Sequence, residues 1–232
     1  MKFKDSKIIV VVPVYNEEEI INDIITNLKK KLINLNFKII ILNDGSIDNT
    51  LQKLEFFESD DRIIIIDKDN EGHGKTLVKG YDLAIKMDVD YILQIDSDDQ
   101  IPLDELQKLF VYINNYNLVC GYRYERNDPF IRILITNILK LVILIRHWVY
   151  IKDSNVPFRL ITRDFLKNNL HKIQNSKVPN ILLSILAAKK NELKQVKTFH
   201  KKRETGIESI RRFKLIIFCI KSFLEILKFK SN

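Results

Sequence analysis

The sequence predicts an α/β protein built around an open, mostly parallel β-sheet. Short apolar runs, typical of strands that are buried on both faces, alternate with helical patterns over residues 7–122. Such alternation is typical of a parallel sheet with helices packed on its faces. The chain has 232 residues, 46% hydrophobic and 29% charged, so it can bury a large core and is not a disordered protein.

Each element of the first half follows from its pattern of apolar residues. Strands are predicted at residues 7–14, 37–42, 62–67, 91–95 and 118–122. Helices are predicted between them at residues 17–32, 48–57, 75–87 and 102–113, because apolar side chains recur there at helical spacing. Pro102 fits the first turn of the last of these helices, where no backbone N–H is needed.

The second half is predicted to contain two strongly apolar helices, at about residues 129–150 and 207–230. Arg132, Thr136 and Lys140 recur every four residues along the first of them and form a narrow polar stripe. Between the two helices, the sequence indicates short strands at residues 158–161 and 195–199 and a helix at residues 178–190.

Charge divides the chain into an acidic and a basic half. Residues 1–110 carry 14 Lys and Arg against 22 Asp and Glu, whereas residues 111–232 carry 24 against 8. A half that is both basic and apolar is typical of contact with an anionic membrane or a phosphorylated ligand. No apolar run reaches the roughly 20 residues that cross a bilayer, so we expect peripheral contact with a membrane surface.

The two cysteines, Cys120 and Cys219, are far apart in the sequence. We therefore expect neither a disulfide framework nor a metal knuckle. No N-terminal signal peptide is recognisable, and together these features predict a reducing, cytoplasmic compartment.

Polar residues follow three of the predicted strands at their carboxyl ends. These segments are 13–17, 43–48 and 96–98. Open α/β sheets bind ligands at this edge, so the segments are expected to converge on one cleft. Asp96 and Asp98, separated by one residue, would repel each other there unless a cation joined them. Mg²⁺ or Mn²⁺ favours such oxygen ligands together with substrate phosphates.

Four segments of the first half resemble, in order, the signatures of family 2 glycosyltransferases. They are residues 11–18, residues 43–50, Gly72-x-Gly74-Lys75 and Asp96-x-Asp98-x-Gln100. Four later segments resemble the polyprenyl-phosphate branch of that family, which includes dolichyl-phosphate mannosyltransferase. They are Gly121-x-Arg123-x-x-Arg126-x-Asp128, Arg132-x-x-x-Thr136, Asp153 with Phe158-Arg159, and Arg203-x-x-Gly206-x-x-Ser209.

The resemblance implies a GT-A-type fold and an inverting transfer from a nucleotide-diphosphate sugar, with a uridine donor favoured over a guanosine donor, to a polyprenyl phosphate. Nucleotide-sugar binding would fall to Pro13, Tyr15, Glu17, Asp44, Lys75 and Asp96. The Mg²⁺ or Mn²⁺ ligands would be Asp96, Asp98 and Gln100. The acceptor phosphate would be held by Arg123, Arg126, Arg132, Thr136, Arg159 and Arg203.

The expected catalytic residues are Asp98, Asp153 and Arg123. A lipid phosphate is already largely ionised at neutral pH, so it needs cations to position it more than it needs a base, and arginine makes forked contacts with phosphate. Asp153 is interpreted as either a base or an orienting group. We expect one continuous catalytic domain, with residues 1–125 binding the nucleotide sugar and the metal, and residues 126–232 binding the acceptor.

The two apolar helices would then lie on the cytoplasmic face of the membrane, with His147, Trp148 and Tyr150 at the interface. A homo-oligomer or an integral membrane partner would be compatible with this. Val156-Pro157 replaces a small-residue pair ending in glycine that some relatives carry before the Phe-Arg step, which would reshape the acceptor loop.

Two other interpretations stay open at this stage. One is a family 2 enzyme that glycosylates a hydroxyl of a lipid-linked or surface glycan, which would need a general base such as Asp153. The other is a non-catalytic nucleotide-binding protein or membrane scaffold. We expect no nucleic acid partner, because Asp96 and Asp98 would repel a polynucleotide.

Overall fold

The computed structural model describes residues 6–124, 130–201 and 212–231, and these residues form a seven-stranded sheet flanked by helices. The strands are β1 (Lys7–Val14), β2 (Asn36–Asp44), β3 (Ile63–Lys68), β4 (Tyr91–Ile95), β5 (Leu118–Arg123), β6 (Phe158–Thr162) and β7 (Leu193–Thr198). The helices are α1 (Ile21–Lys31), α2 (Thr50–Glu55), α3 (His73–Lys86), α4 (Leu106–Phe110), α5 (Phe130–His147), α6 (Arg163–Ile173), α7 (Pro179–Lys189) and α8 (Arg212–Lys228).

The order of the strands across the sheet is β3-β2-β1-β4-β6-β5-β7. β1 lies between two parallel neighbours, with Ile8 opposite Phe37 of β2 and Tyr91 of β4. β6 is antiparallel to both β4 and β5, and β5 is parallel to β7. The predicted α/β class with a mostly parallel sheet is therefore confirmed. The sheet continues across residue 125, and the functional division at that residue stays a prediction.

The hydrophobic core lies on both faces of the central strands. Val10, Val11, Ile39 and Ile41 have no exposed surface. Such burial on both faces explains why β1 and β2 are near-continuous runs of Ile, Val and Leu. Burying one side chain of this size stabilises the fold by about 1.5–3 kcal/mol relative to leaving it in water.

Helices pack on this sheet through faces that the sequence pattern predicts. The buried residues of α1 are Ile21, Ile24, Ile25 and Leu28, which share one side of the helix. Helix α3 packs closely against β1 and β2, because Gly80 has no side chain at the contact with these strands.

Two parts of the fold differ from the sequence-based expectation. The helix predicted at residues 102–113 is a 3₁₀ turn, Leu103–Glu105, followed by the short α4. Helix α6 was not predicted, because polar residues interrupt its apolar pattern. Asn169 nevertheless lies buried, donating its side-chain N–H to the carbonyl of Phe165, and Thr162 caps the helix by accepting from the Phe165 N–H.

Helices α5 and α8 pack against each other at one end of the molecule. The imidazole of His147 at the end of α5 lies 3.0 Å from the Ile226 carbonyl and 3.1 Å from the Ser231 hydroxyl. Glu225 accepts hydrogen bonds from Ser176 and from the Lys177 N–H, which ties α8 to the segment before α7. Among the described residues, no helix has the length and apolar character needed to cross a membrane.

We predict that Gly80→Ala destabilises the protein. An added Cβ would lie 2.5 Å from Val11 Cγ1 and 2.9 Å from Leu42 Cδ1, so the helix or the strands must move. Overpacking of this kind costs about 1–3 kcal/mol, whereas helix propensity alone would give a gain of up to ~1 kcal/mol.

Urea unfolding of Gly80→Ala and of the neighbouring, exposed Lys79→Ala measures the effect. The lysine variant is expected to match the parent protein. A gain in the free energy of unfolding for Gly80→Ala would contradict the close packing of α3.

Candidate active site

The loops that follow β1, β2 and β4 meet at the carboxyl edge of the sheet. The Asn16 N–H donates to the Ser46 hydroxyl at 2.9 Å, and the Glu17 N–H donates to the Thr50 hydroxyl at 2.9 Å. The Ser97 hydroxyl donates to the Pro13 carbonyl at 3.0 Å. These bonds lock the three loops together, as expected for the edge where parallel sheets bind ligands.

A cleft of about 990 Å³ opens beside these loops. At one end it is lined by the polar side chains of His73, Asp96, Asp98, Gln100 and Arg123. Polar and apolar residues share the rest of its wall, which includes Lys30 and Lys31 of α1 and the segment 101–104. The cleft therefore brings the predicted metal ligands and one predicted acceptor arginine into one space.

Asp96 and Asp98 form a like-charged pair at the end of β4. Burial, and then the charge of Asp98, raise the pKa of Asp96 well above its usual range. The Gln94 amide donates to Asp96 Oδ1 at 3.3 Å, and His73 Nε2 lies 3.8 Å from the same oxygen. Desolvation in the cleft lowers the pKa of His73, although 53% of its side chain is exposed.

The donor set of this pair fits a hard divalent cation. Asp96 and Asp98 offer carboxylate oxygens, and Gln100 lines the same cleft. Within the described ranges, no three His, Cys, Asp or Glu side chains converge as a ready-made metal cage. That arrangement suits Mg²⁺ or Mn²⁺, which are bound through one or two carboxylates and complete their shell with water and substrate phosphates.

Arg123 is held at the cleft by Asp153. Its Nε donates to Asp153 Oδ2 at 2.7 Å, and its Nη2 donates to Oδ1 at 3.1 Å, a forked contact. The Asp153 side chain is only 5% exposed, and Gln195 fixes its backbone by donating to the Asp153 carbonyl at 2.8 Å. This geometry gives Asp153 an orienting role toward the arginine. Its role as a base stays a hypothesis.

The structure corrects the assignment of Arg159 to the acceptor phosphate. Its guanidinium has no exposed surface. Its bonds go to four acceptors inside the protein: the Ser154, Val156 and Asn180 carbonyls and the Ser184 hydroxyl. Because an acceptor phosphate could not reach this group, Arg159 is a structural residue whose charge partly offsets the buried carboxylate of Asp96.

Asp44 is buried, and its carboxylate is hydrogen-bonded to other residues of the chain. It accepts hydrogen bonds from Lys68 Nζ, from the Glu71 N–H at 3.0 Å and from the Gly72 N–H at 2.9 Å. Burial alone would raise the pKa of Asp44, but Lys68 and the Glu71 N–H lower it below its usual value. Asp44 therefore anchors the loop before α3, and its contact with a nucleotide base stays a prediction.

The other residues that are predicted to bind the nucleotide lie in two different parts of the structure. Pro13, Tyr15 and Glu17 lie at the end of β1, with Tyr15 partly exposed and the other two buried. Lys75 is exposed, 3.7 Å from Glu71, and lines a different groove between α3 and α6. The structure therefore does not bring Lys75 to the carboxylate pair, and its predicted contact with the nucleotide sugar stays a prediction.

Four further residues are predicted to hold the acceptor phosphate: Arg126, Arg132, Thr136 and Arg203. Arg126 and Arg203 lie outside the described residues. Arg132 belongs to the first turn of α5, and its side chain is outside the described part of the structure. Thr136 lies on α5, partly exposed, and is not among the residues that line the cleft.

Sequence analysis missed several residues that line the cleft. His73 occupies the variable position of Gly72-x-Gly74-Lys75, and it reaches the carboxylates instead of Lys75. His200 and Lys201 also line the cleft. Lys201 donates to Asp99 at 3.1 Å, and its backbone N–H donates to the Gln100 carbonyl at 2.7 Å. The position of His73 in the motif was the available signal, whereas the segment 199–201 carried none.

The fold of this chain is shared with solved glycosyltransferases. A structure of glucosyl-3-phosphoglycerate synthase from Mycobacterium tuberculosis, in complex with Mn²⁺, UDP and glucosyl-3-phosphoglycerate, superposes with a TM-score of 0.70. The superposition covers 96% of this chain and 78% of that one at 15% sequence identity. The architecture is therefore the GT-A fold.

The family model for glycosyl transferase family 2 matches residues 9–177, and the chain belongs to this family. An uncharacterised protein of Methanocaldococcus jannaschii is 29% identical over 69% of this chain and 73% of its own length.

Undecaprenyl-phosphate 4-deoxy-4-formamido-L-arabinose transferases are also similar. Those of Yersinia enterocolitica and Proteus mirabilis are 26% and 27% identical over 92% of this chain. The chain spans 65% of the length of these two transferases.

We predict that Arg159→Met destabilises the protein by about 3 kcal/mol, because the bonds of a buried charged donor are lost and the Val156 carbonyl loses the donors that Arg159 provides. The Ser154 and Asn180 carbonyls can still accept from the Ser184 hydroxyl. Arg163→Met is the matched control, since the Arg163 guanidinium makes one bond, to the Ile85 carbonyl, and is only half-buried. Urea unfolding measures both variants. Equal losses in the two would contradict the structural role of Arg159.

Proposed function

We propose that this protein is an inverting glycosyltransferase that moves a sugar from a nucleotide-diphosphate sugar to a polyprenyl phosphate at the cytoplasmic face of a membrane. The observation that carries the proposal is the arginine fork in the same cleft as the carboxylate pair. Arg123, oriented by Asp153, lines the cleft together with Asp96 and Asp98. The names of the undecaprenyl-phosphate transferases, similar over 92% of this chain, support the acceptor class.

The donor is proposed to bind with its diphosphate at Asp96 and Asp98. A bound Mg²⁺ or Mn²⁺ would offset the negative charge that develops on the leaving diphosphate. Gln100 would contribute an amide oxygen, and His73, whose Nε2 lies 3.8 Å from Asp96 Oδ1, would contact the donor. Tyr15, with Pro13 and Glu17 at the end of β1, would hold the nucleoside, for which we propose uridine over guanosine.

The acceptor phosphate is proposed to bind at Arg123. A phosphate monoester carries roughly −1.5 to −2 charge at neutral pH, so its oxygen can attack the sugar without a base to deprotonate it. The reaction instead needs a cation that holds the acceptor phosphate next to the negatively charged diphosphate of the donor. The two forked bonds from Arg123 to Asp153 fix the direction of the guanidinium before the acceptor arrives. Arg132 and Thr136 would extend this site along α5.

The membrane contact is proposed to use the exposed apolar side chains of α5 and α8. Leu141 and Ile145 on α5 are 55% and 65% exposed, and Leu224 on α8 is 48% exposed. An exposed apolar surface of this kind is typical of a protein, membrane or ligand contact. Since the polyprenyl tail of the acceptor lies in a bilayer, a surface that lies on that bilayer would bring the cleft to the level of the phosphate.

Sugar transfer tests the proposal directly. Protein, Mg²⁺ or Mn²⁺, a panel of labelled UDP- and GDP-sugars and a polyprenyl phosphate in detergent are expected to give label in the organic extract. Asp96→Ala and Asp98→Ala are expected to abolish transfer while the circular dichroism spectrum stays unchanged, because the metal and the diphosphate lose their anchor. Parent-level turnover in either variant would refute the assignment of these carboxylates.

A double-mutant cycle distinguishes the two roles of Asp153. If Asp153 acts only by orienting Arg123, then Asp153→Asn and Arg123→Gln each raise the KM for the lipid phosphate far more than the KM for the nucleotide sugar. The double variant is then no worse than Arg123→Gln alone, because the two residues act as a unit.

Independent, multiplying losses of kcat in this cycle would show that Asp153 is a base. They would favour a hydroxyl acceptor on a glycan over a lipid phosphate. Steady-state kinetics with each substrate varied in turn provides the readout.

A further inference from the structure

A second groove, of about 820 Å³, lies on the other side of β5 from the cleft. Arg123 lines the cleft, whereas Tyr122 and Tyr124, on either side of it in the sequence, line this groove. Successive side chains of a strand point to opposite faces of the sheet, which explains the division. The groove is therefore close to the proposed acceptor site but separated from it by the sheet.

Lysine side chains give this groove its charge. Lys152, Lys194 and Lys197 line it, and in the described part of the chain none of the three has a carboxylate partner. A fourth lysine, Lys108, is paired with Glu105 at 2.6 Å. Among the described residues that line the groove there is no aspartate or glutamate. The groove thus carries three positive charges that no carboxylate on its walls balances.

Each of these three ammonium groups lies over a tyrosine ring. The distances from Nζ to the ring centroid are 4.5 Å for Lys152 over Tyr122, 4.5 Å for Lys194 over Tyr112 and 3.2 Å for Lys197 over Tyr124. Cation–π attraction holds the lysines at the groove. An ammonium group therefore already covers one face of each ring. Three lysines that are held in place in this way favour the binding of an anion at the groove.

Several large aromatic side chains near these lysines in the sequence or along the groove are exposed to solvent. Phe199, which lines the groove, is 57% exposed. Trp148 and Tyr150 are 86% and 66% exposed, and they precede Lys152 by four and two residues in the chain. Exposed aromatic residues next to lysines are typical of the headgroup region of a bilayer, where one end of each ring is apolar and the other is wet.

We propose that the lysine–tyrosine surface, defined as Lys152, Lys194 and Lys197 with the tyrosine rings beneath them, binds the phosphate groups of anionic phospholipids. Phe199, Trp148 and Tyr150 insert at the headgroup level beside it. This inference rests on the membrane location that is part of the proposed function. It identifies the residues of the chain that recognise the negative charge of the lipids. It makes the edge strand β7 a membrane-facing element, in addition to α5 and α8.

Vesicle sedimentation tests the surface with the full chain. The probes are vesicles of phosphatidylcholine alone and of phosphatidylcholine mixed with phosphatidylglycerol. The variant is Lys152→Gln, Lys194→Gln and Lys197→Gln combined. Each lysine near an anionic surface contributes roughly a fivefold gain in binding, so we expect a loss on the order of 100-fold on the anionic vesicles. Binding to the neutral vesicles is expected to stay unchanged.

The matched control removes three other exposed lysines, Lys38, Lys79 and Lys167, by the same change to Gln. It lowers the net charge equally and is expected to retain most of the binding. The triple change to arginine at 152, 194 and 197 keeps the charge and is expected to bind like the parent. Where the triple glutamine variant fails to fold, Lys194→Gln alone is expected to lose roughly fivefold.

Several results would overturn the proposal. Equal losses in the glutamine variant and its control would show an effect of net charge only. Equal binding of the parent protein to neutral and anionic vesicles would exclude a site for anionic headgroups. Saturable binding of an anionic saccharide that competes with the vesicles would exclude it as well.

Sugar transfer to the polyprenyl phosphate in detergent is the separate readout for the proposed function. Intact transfer with lysine-independent vesicle binding refutes the surface alone. Lysine-dependent vesicle binding without any transfer refutes the proposed reaction but not the surface.

Discussion

The buried guanidinium of Arg159 is the interaction on which the arrangement of the site depends. Its hydrogen bonds join β6 to the preceding loop at residues 154–156 and to α7, so three segments meet at one cation. Tyr81 and Gln94 continue the polar contacts from α7 to Asp96, because the Tyr81 hydroxyl lies 3.1 Å from both Gln94 and Asn180. A buried cation is tolerated only where its bonds are satisfied. Here the same cation also moderates the repulsion between carboxylates in the cleft.

The two sides of the cleft differ in how their charges are balanced by other residues of the chain. On the proposed donor side, the charge of Asp98 adds to burial in raising the pKa of Asp96, and the charges of Arg123 and Arg159 partly counter this effect. On the proposed acceptor side, Arg123 has Asp153 as its counterion, and the forked contact fixes its direction. Under the proposed function, a divalent cation would add to the compensation at the two carboxylates, so binding of the donor would depend on metal more than binding of the acceptor would.

Much of the fold could be predicted from sequence, because β1, β2 and β4 are short, mostly apolar runs that alternate with helical patterns. The antiparallel placement of β6 could not be predicted, since a five-residue segment carries no sign of its direction in the sheet. The hypothesis of a metal pair rests on the spacing Asp96-x-Asp98, its place at a strand end and the resemblance to family 2 glycosyltransferases, and it stays a prediction. Arg159 was misassigned because a sequence motif does not reveal burial. The position of Lys75 beside α6 could not be predicted, because it depends on how α3 packs against α6.

The strand order has a further consequence, for the rate at which the protein folds. β4 pairs with β6, and β5 pairs with β7, across chain separations such as Leu93 to Leu160 and Val119 to Lys194. Contacts this distant in sequence raise the entropy cost of closing the chain and slow folding. The residues of the cleft come from both sides of these pairings, so they can come together only after the slow steps are complete. A nascent chain would therefore present an open β4 edge until residues 158–162 have been synthesised, and that interval is when the protein is most exposed to misassembly.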